Sequence, residues 1–372
     1  MSLEHPIRPA PNLSVIAPTY REAKNVPVLF ERLKAALHGV DWELIVVDDD
    51  SPDGTYDVAF AIARQDTRMR CLRRVNRFGL AGAVIEGWLA SSADYVAVID
   101  GDLQHDERIL PKMLEALATG QGNLAIGTRV EDKTQPAGLS PARAMLSELG
   151  TTLFRRVAGT TVSDPMSGFF MVARSLVATL APRLSPDGFK ILVDVILSAD
   201  DALEIVEIPY VFRPREEGES KLSALVGLEF LGLVAHHASG ALLPTRFVMF
   251  ALIGGVGLIV HLAALWLFLT WLGSDGFVAG QFGATLLAMA SNFVLNNEIT
   301  YRARRFRGSK LLIGFVLFST LCGVGILANL DVSTWLFRRE GVYWWAAGVS
   351  GALVAVVWNY AVSSTFVWRR RR

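Results

Sequence analysis

The sequence has few of the residues that build disulfide frameworks or zinc sites. Its two cysteines among 372 residues, Cys71 and Cys322, fall in different segments of the chain. No CxxC pair and no disulfide framework is therefore available. The first twelve residues, MSLEHPIRPAPN, have no apolar core. We therefore expect no cleaved signal peptide and an amino-terminal half that stays in the cytosol.

Charged residues are also scarce, at 19%, whereas hydrophobic residues reach 52%, which is high for one soluble domain. The formal net charge of zero hides a difference between the two halves. From residue 245 onward there are 12 Lys and Arg against 4 Asp and Glu, and the preceding 244 residues hold 24 against 32. Length and asymmetry together indicate two or three domains in two different environments.

The first half alternates strand and helix patterns. The runs LSVIAP (13–18), WELIVV (42–47) and YVAVID (95–100) are short, apolar and typical of buried strands. Helical spacing of leucines fills residues 26–40 between the first two of them. This alternation predicts an α/β fold with a mostly parallel sheet and helices on both faces. Ligands of such sheets bind beyond the carboxyl ends of the strands.

Acidic residues follow two of these predicted strands. Asp100-Gly101-Asp102 ends one, with Gln104 two residues further on, and Asp48 to Asp50 end another. Carboxylate and amide oxygens suit Mg²⁺ or Mn²⁺, which are often shared with substrate phosphates. An Asp-Gly-Asp sequence alone is equally typical of an exposed turn, but the second acidic cluster favours the cation site.

The second half contains four long apolar runs without a formal charge. A membrane-spanning helix needs about 20 mostly apolar residues. The runs therefore predict four spans, at about 247–272, 277–295, 311–330 and 342–368. The basic segments at 301–310 and 369–372 should face the cytosol, which puts the amino-terminal half and both termini there. Residues 223–244 are apolar but interrupted by polar side chains, and we interpret them as interfacial juxtamembrane helices.

The apolar half also contains an internal similarity. SNFVLNNEITYRARR (291–305) is similar to WNYAVSSTFVWRRRR (358–372), with Asn292 matching Asn359 and Tyr301 matching Trp368, each 67 positions apart. Gly-Val-Gly at 255–257 recurs at 323–325. The pattern favours a duplicated helical hairpin over chance similarity among apolar helices.

Several motifs, taken in order, carry a family resemblance. They are PTYRE (18–22), VVDDDSPDGT (46–55), FGLAGAVIEG (78–87), DGDLQH (100–105) and GESKL (218–222). As a set, across roughly residues 13–222, they resemble the dolichol-phosphate mannose synthases and related polyprenyl-phosphate glycosyltransferases. The four-helix half resembles, more weakly, the small membrane domains fused to such enzymes. The resemblance implies a GT-A nucleotide-sugar fold and an inverting transfer.

The resemblance also implies residues for the donor side. Its nucleotide-binding positions fall on Pro18, Tyr20, Glu22, Val47 and Asp49, and its metal-binding positions on Asp100, Asp102 and Gln104, with Gly101 contributing backbone. The implied cofactor is Mg²⁺ or Mn²⁺. Two positions depart from the family pattern: Gly101 stands where alanine is usual, and Asp50 stands where asparagine is usual.

For the acceptor, a lipid monophosphate is already an anionic nucleophile near neutral pH, so cations should matter more than a general base. The family's acceptor-phosphate positions match Arg129, Arg143, Ser147 and Ser220, and its donor-closing loop matches Lys190, Arg215 and Lys221. Asp164 and Gly168 match a motif that lines the active site. We expect Asp102, Arg129, Arg143 and Lys221 to carry catalysis.

These features predict a multi-pass membrane enzyme with a GT-A domain at 1–222, interfacial helices at 223–244 and a four-helix membrane domain at 245–372. The expected reaction is transfer of mannose from GDP-mannose to polyprenyl phosphate. UDP-glucose as donor, and a flippase for lipid-linked sugars, stay open as alternatives. A processive polysaccharide synthase is disfavoured because no Gln-x-x-Arg-Trp motif occurs. Partners should be the nucleotide sugar, the lipid phosphate and the bilayer, with no nucleic acid.

Overall fold

The chain divides into two compact units, Met1–Ala238 and Ser239–Arg372. The structure, a computed structural model, describes residues 10–77, 79–129, 152, 154–160, 162–186, 190–199, 203–213, 223–240, 242–272, 277–301, 304–338, 340 and 344–368. Five predicted site residues, Arg143, Ser147, Arg215, Ser220 and Lys221, lie outside these ranges.

The first unit is built on one seven-stranded sheet. Its strands are β1 (Leu13–Thr19), β2 (Trp42–Asp48), β3 (Met69–Arg73), β4 (Tyr95–Val98), β5 (Leu124–Arg129), β6 (Phe170–Ala173) and β7 (Ile205–Tyr210). They lie in the order β3-β2-β1-β4-β6-β5-β7. Only β6 is antiparallel to its neighbours, β4 and β5. The predicted mostly parallel α/β fold is confirmed.

Helices cover both faces of this sheet. They are α1 (Asn25–Ala36), α2 (Thr55–Ala63), α3 (Leu80–Ala90), α4 (Leu110–Ala118), α5 (Arg174–Leu180), α6 (Ile191–Ser198) and α7 (Ser223–Ala238). Successive β1 side chains enter two separate cores: Ile16 packs with Trp88 and Val98 on one face, whereas Val15 packs with Leu33 on the other. Burial on both faces explains why the strands are continuously apolar rather than alternating.

Helix α7 belongs to the first unit and contributes to its core. Phe230, Leu233 and Val234 are buried in the same cluster as the sheet residues. His237 Nε2 lies 3.1 Å from Asp194 Oδ1 on α6. The placement of residues 223–244 at a membrane interface stays a prediction, but one face of this helix is occupied by the globular core.

The second unit consists of long helices: α8 (Thr245–Leu272), α9 (Phe277–Leu295), α10 (Lys310–Arg338) and α11 (Trp344–Val362). Their positions agree with the four apolar runs of the sequence. Within the described residues, Thr245–Trp271 is the helix long and apolar enough by itself to cross a membrane, and Lys310–Gly325 and Leu353–Val367 are shorter apolar stretches. The number of spans therefore stays a prediction.

Matched local structures in this unit support the predicted duplication. A turn of π-helix follows α9 at Asn296–Thr300 and follows α11 at Ser363–Val367, 67 positions later. The two residues that end these turns, Tyr301 and Trp368, stack on each other with ring centroids 4.3 Å apart and planes 3° apart. Two copies related by a pseudo-twofold axis bring equivalent residues near that axis into contact with each other. The stacking of Tyr301 on Trp368 fits this arrangement.

Each hairpin also contains the same close contact between a glycine and an asparagine. A Cβ built on Gly257 of α8 would lie 2.1 Å from Asn292 Oδ1 of α9, and one built on Gly325 of α10 would lie 2.3 Å from Asn359 Oδ1 of α11. Both amide oxygens are buried without a conventional hydrogen-bond donor. Because glycine has no side chain, the asparagine carboxamide can contact the backbone of the neighbouring helix. Small residues allow the same close approach between helices in membrane bundles.

We predict that Gly257→Ala and Gly325→Ala each destabilise the second unit by about 1–3 kcal/mol, because the added methyl group collides with the facing carboxamide. Gly254→Ala is the control, since nothing lies within 4 Å of its Cβ position. Thermal unfolding of the detergent-solubilised chain measures the effect. Adding Asn292→Ala to Gly257→Ala should restore part of the loss, and absence of any restoration would contradict the assigned contact.

Candidate active site

Parallel pairing brings the polar loops together at one edge of the sheet. β1 lies between β2 and β4, and all three run in the same direction. The chain continues from β1 to β2 and from β4 to β5, which lie in opposite directions along the sheet, and α/β proteins bind ligands at the carboxyl ends where the strand order reverses in this way. The segments after these strands, residues 20–25, 49–54 and 99–107, therefore surround one site.

The segments after β1 and β2 are joined by backbone-to-side-chain hydrogen bonds. Three successive amides donate: Arg21 N to Ser51 Oγ at 3.0 Å, Glu22 N to Thr55 Oγ1 at 3.0 Å, and Ala23 N to Asp53 Oδ2 at 3.2 Å. Burial of Asp53 opposes its ionisation, but the hydrogen bonds from Thr55 and Ala23 outweigh that effect and lower its pKa. The ionised carboxylate thus holds the two loops in register.

The predicted nucleotide residues lie on this joined pair of segments. Pro18 and Val47 are register partners of β1 and β2. The ring of Tyr20 is 49% exposed, and the Arg21 guanidinium lies 5.4 Å from its centroid. Glu22 accepts a hydrogen bond of 2.6 Å from Asn25 Nδ2. An exposed aromatic ring beside a cation provides a surface on which a base can stack.

The three aspartates at the end of β2, Asp48 to Asp50, have separate structural partners. Asp48 accepts hydrogen bonds from Thr19 Oγ1 and from the backbone and hydroxyl of Ser51. Asp50 has φ +54°, a conformation that Asp and Asn both tolerate, and its Oδ1 lies 2.6 Å from Arg73 Nε. The departure from the family's usual asparagine therefore adds a charge that Arg73 balances.

Asp49 occupies a more buried position than the sequence interpretation implied. Its carboxylate accepts from Arg74 Nη1 and, at 2.7 Å, from the backbone amide of Gly79. Burial raises its pKa, although the Gly79 amide and the Arg74 cation act in the opposite direction. The side chain thus ties β2 to the turn before α3, and its role beside the nucleotide stays a prediction.

The candidate cation loop follows β4. Asp102 Oδ1 accepts from Gln104 N at 3.2 Å, and Leu103 between them has φ +64°. Gln104 Nε2 donates to the Arg213 carbonyl at 3.2 Å, and Arg213 N donates back to the Gln104 carbonyl at 2.9 Å. These bonds give the loop a defined shape and attach it to the segment after β7.

Asp100, on the same loop, has two close neighbours: His105, to which the sequence analysis assigned no role, and Gly168, which the family resemblance placed at the active site. Its Oδ2 lies 3.1 Å from His105 Nε2. A Cβ built on Gly168 would lie 2.6 Å from the same oxygen. The position of His105 directly after Gln104 was the only available signal for its role, whereas Gly168 lies 68 residues from Asp100 and only the fold brings them together.

Two carboxylates and an amide form the predicted cation site. All three offer hard oxygen ligands, which fit Mg²⁺ or Mn²⁺ when substrate oxygens complete the coordination. Within the described ranges, no group of three or more His, Cys, Asp or Glu side chains is arranged to hold a metal on its own. The assignment of Asp100, Asp102 and Gln104 as cation ligands stays a prediction.

A cavity of about 150 Å³ lies beside Asp100. Its lining residues are Leu80, Val98, Asp100, His105, Arg129, Met166, Ser167, Gly168, Lys190, Ile191, Leu192 and Phe212. Arg129 makes a two-point contact with Asp164, at 2.6 and 3.0 Å, and its guanidinium lies 5.5 Å from the Phe212 ring. Lys190 Nζ donates to the Met166 carbonyl at 3.2 Å. The fold thus brings Arg129, Lys190 and Asp100 to one small cavity, with Asp164 bound to Arg129.

Comparisons with known proteins match both units. The family described as Glycosyl transferase family 2 matches residues 14–180, and the family described as GtrA/DPMS, transmembrane domain, matches residues 249–368. A dolichol-phosphate mannosyltransferase of Pyrococcus furiosus is 32% identical over 359 residues, which cover 96% of this chain and 99% of the relative.

Two further relatives match 59% of this chain each. The dolichol-phosphate mannosyltransferase of Saccharomyces cerevisiae is 35% identical over 231 residues, covering 59% of this chain and 84% of its own. The undecaprenyl-phosphate mannosyltransferase of Micrococcus luteus is 34% identical, covering 59% and 93%. A crystal structure of glucosyl-3-phosphoglycerate synthase from Mycobacterium tuberculosis, with Mn²⁺, UDP-glucose and phosphoglyceric acid, covers 62% of this chain and 80% of its own at 20% identity and a TM-score of 0.48.

We predict opposite outcomes for two glycine-to-alanine substitutions at the site. Gly168→Ala should weaken binding of Mn²⁺ at least tenfold, because the methyl group displaces the Asp100 carboxylate. Gly101→Ala should be nearly neutral, since its Cβ would lie 3.2 Å from Thr19 Cγ2 and 3.4 Å from Glu22 Cγ, side-chain atoms that can shift slightly. Mn²⁺ titration of both variants, with thermal unfolding as a fold control, compares them. Equal affinities would contradict the assigned packing of Gly168.

Proposed function

The chain belongs to the dolichol-phosphate mannosyltransferase family of membrane glycosyltransferases, and on that premise we propose that it transfers mannose from GDP-mannose to a polyprenyl phosphate. The observation that carries this proposal is the match to the Pyrococcus furiosus enzyme, which extends through both units and 99% of that relative. The acidic loop and the cavity beside it support the proposal, because the loop offers oxygen ligands for the cation of a diphosphate donor and Arg129 at the cavity would bind a phosphate acceptor.

On the donor side, the exposed ring of Tyr20 and the loops joined by Asp53 would hold the base and ribose. Asp100, Asp102 and Gln104 would hold a divalent cation against the diphosphate. When bound, that cation would neutralise charge developing on the departing nucleotide. GDP is the proposed leaving group, and the residues of the cation loop are proposed ligands.

On the acceptor side, the lipid phosphate would itself be the nucleophile. Its second pKa of about 6 leaves it largely dianionic near neutral pH, so no protein base is needed to activate it. A phosphate oxygen would attack the anomeric carbon from the face opposite the diphosphate, which inverts the configuration. Arg129 beside the cavity, together with Arg143, would position that phosphate and balance its charge, whereas Lys190 at the same cavity would act on the donor side.

The membrane unit would keep the lipid acceptor accessible to this chemistry. The family match at 249–368 supports a membrane protein. We propose that its helices cross the bilayer as four spans, with the basic segments and both termini on the cytosolic side. Because the prenyl chain must remain in lipid, the acceptor phosphate would be presented at the membrane surface.

The donor and the cation requirement are tested together. Purified enzyme is offered radiolabelled GDP-mannose or UDP-glucose with a polyprenyl phosphate and low millimolar Mn²⁺. We expect lipid-linked mannose from the first donor only, and near-complete loss of product with EDTA or with Asp102→Asn, which removes a charged ligand. Transfer of glucose would overturn the proposed donor, and full activity of Asp102→Asn would overturn the proposed cation loop.

A second test separates acceptor binding from donor binding. We expect Arg143→Ala to slow transfer roughly ten- to a hundredfold, the effect of losing a charge-assisted contact of about 1.5–3 kcal/mol. Donor affinity, measured by calorimetry, should stay nearly unchanged. Arg143→Lys should restore activity only partly, because lysine lacks the bidentate fork of arginine. If Arg143→Ala weakens donor binding as much as it slows transfer, the arginine belongs to the diphosphate site instead.

A further inference from the structure

His105, directly after the candidate cation loop, is a buried polar side chain. It is 4% exposed, and both of its ring nitrogens have a partner. Nε2 lies 3.1 Å from Asp100 Oδ2, and Nδ1 lies 2.6 Å from the hydroxyl of Tyr210 on β7. A buried histidine with two defined contacts is held in one orientation, and one of those contacts is a proposed cation ligand.

The chemistry of the partners sets the direction of these hydrogen bonds. An ionised carboxylate only accepts, so Nε2 must carry the proton that it donates to Asp100. In a neutral imidazole Nδ1 is then the acceptor, and the Tyr210 hydroxyl donates to it. Burial raises the pKa of Tyr210 well above its ordinary value, which keeps the phenol protonated and able to donate. With a neutral imidazole, Tyr210 therefore donates to His105 and His105 donates to Asp100.

Aromatic packing prevents this arrangement from shifting. The His105 ring lies 5.1 Å from Phe169 and 5.5 Å from Phe212, centroid to centroid, and Tyr210 packs edge-on against Phe169 at 5.6 Å. Close packing of Gly168 confines the same Asp100 oxygen from another direction. Asp100, about a third of whose side chain is exposed, is thus oriented by groups that are almost fully buried.

We propose that His105 and Tyr210 are positioning residues, which fix the orientation of the Asp100 carboxylate so that it binds the divalent cation of the donor complex. The role rests on the proposed function, because it requires Asp100 to be a cation ligand. Neither residue touches substrate in this role. Groups that orient metal-binding side chains typically affect metal affinity or activity by about 10- to 100-fold.

The test measures cation binding directly rather than through catalysis. Free Mn²⁺ is followed by electron paramagnetic resonance during titration of the full-length enzyme, with saturating GDP and, in parallel, with saturating UDP. The variants are Tyr210→Phe, which removes one hydroxyl and keeps the ring; His105→Leu, which removes both hydrogen bonds; and His105→Gln, whose amide nitrogen can still donate toward Asp100. Tyr95→Phe is the matched control, because it removes a hydroxyl at the other end of β4.

We expect Tyr210→Phe to weaken Mn²⁺ binding about tenfold and His105→Leu between ten- and a hundredfold, with His105→Gln between His105→Leu and the unmodified enzyme. Tyr95→Phe should bind Mn²⁺ normally, and Tyr210→Phe should unfold at nearly the same temperature as the unmodified enzyme. Rescue by glutamine separates positioning from packing, since glutamine fills the aromatic pocket no better than leucine does.

Two results would overturn the assignment, and they are distinguishable. If the unmodified enzyme binds Mn²⁺ with nucleotide and Tyr210→Phe and both His105 variants bind it equally well, the positioning role is wrong and the proposed function stands. If neither GDP nor UDP promotes Mn²⁺ binding by the unmodified enzyme, the proposed cation-dependent function fails and the role of His105 fails with it.

Discussion

The parallel pairing of β1 with β2 on one side and β4 on the other is the constraint on which the catalytic unit depends. This pairing aligns the carboxyl ends of the three strands, so that the segments that follow them lie next to one another at one edge of the sheet. The hydrogen bonds between residues 21–23 and 51–55 then join two of those segments. Continuous apolar strands buried on both faces make this pairing stable.

The charged side chains at this edge of the sheet have different partners, depending on the strand that they follow. The carboxylates after β2 are engaged by Ser51, Arg74 and Arg73, so most of that acidic cluster shapes the loops. The acids after β4 instead belong to a short loop whose shape is set by Leu103 and by the segment after β7. The cations that face the neighbouring cavity, Arg129 and Lys190, come from different elements and are held by Asp164 and by a backbone carbonyl. The acids that lie close together in the sequence thus differ in burial and in their partners, and they do not act as one group.

The helices of the membrane unit pack through contacts that occur twice, once in each helical hairpin. Two hairpins use the same glycine-to-asparagine contact, and each ends in a π-helical turn. Stacking of Tyr301 on Trp368 joins the ends of the two copies. Close backbone approach and aromatic stacking can act in lipid, where apolar surface alone gives helices little reason to associate.

The amino-acid sequence by itself determined the strand and helix alternation, the acidic loop after β4, the long apolar helices and the equivalence of positions 67 residues apart. These features can be predicted because they depend on the chemistry of residues that are close in the sequence and on the spacing of the apolar ones. Only the tertiary structure decided that Asp49 is tied to Gly79, that Gly168 encloses Asp100, and that Tyr210 reaches His105 across 105 positions of chain. Those contacts could not be predicted because they depend on strand order and on close approach between distant segments, neither of which leaves a periodic pattern in the sequence.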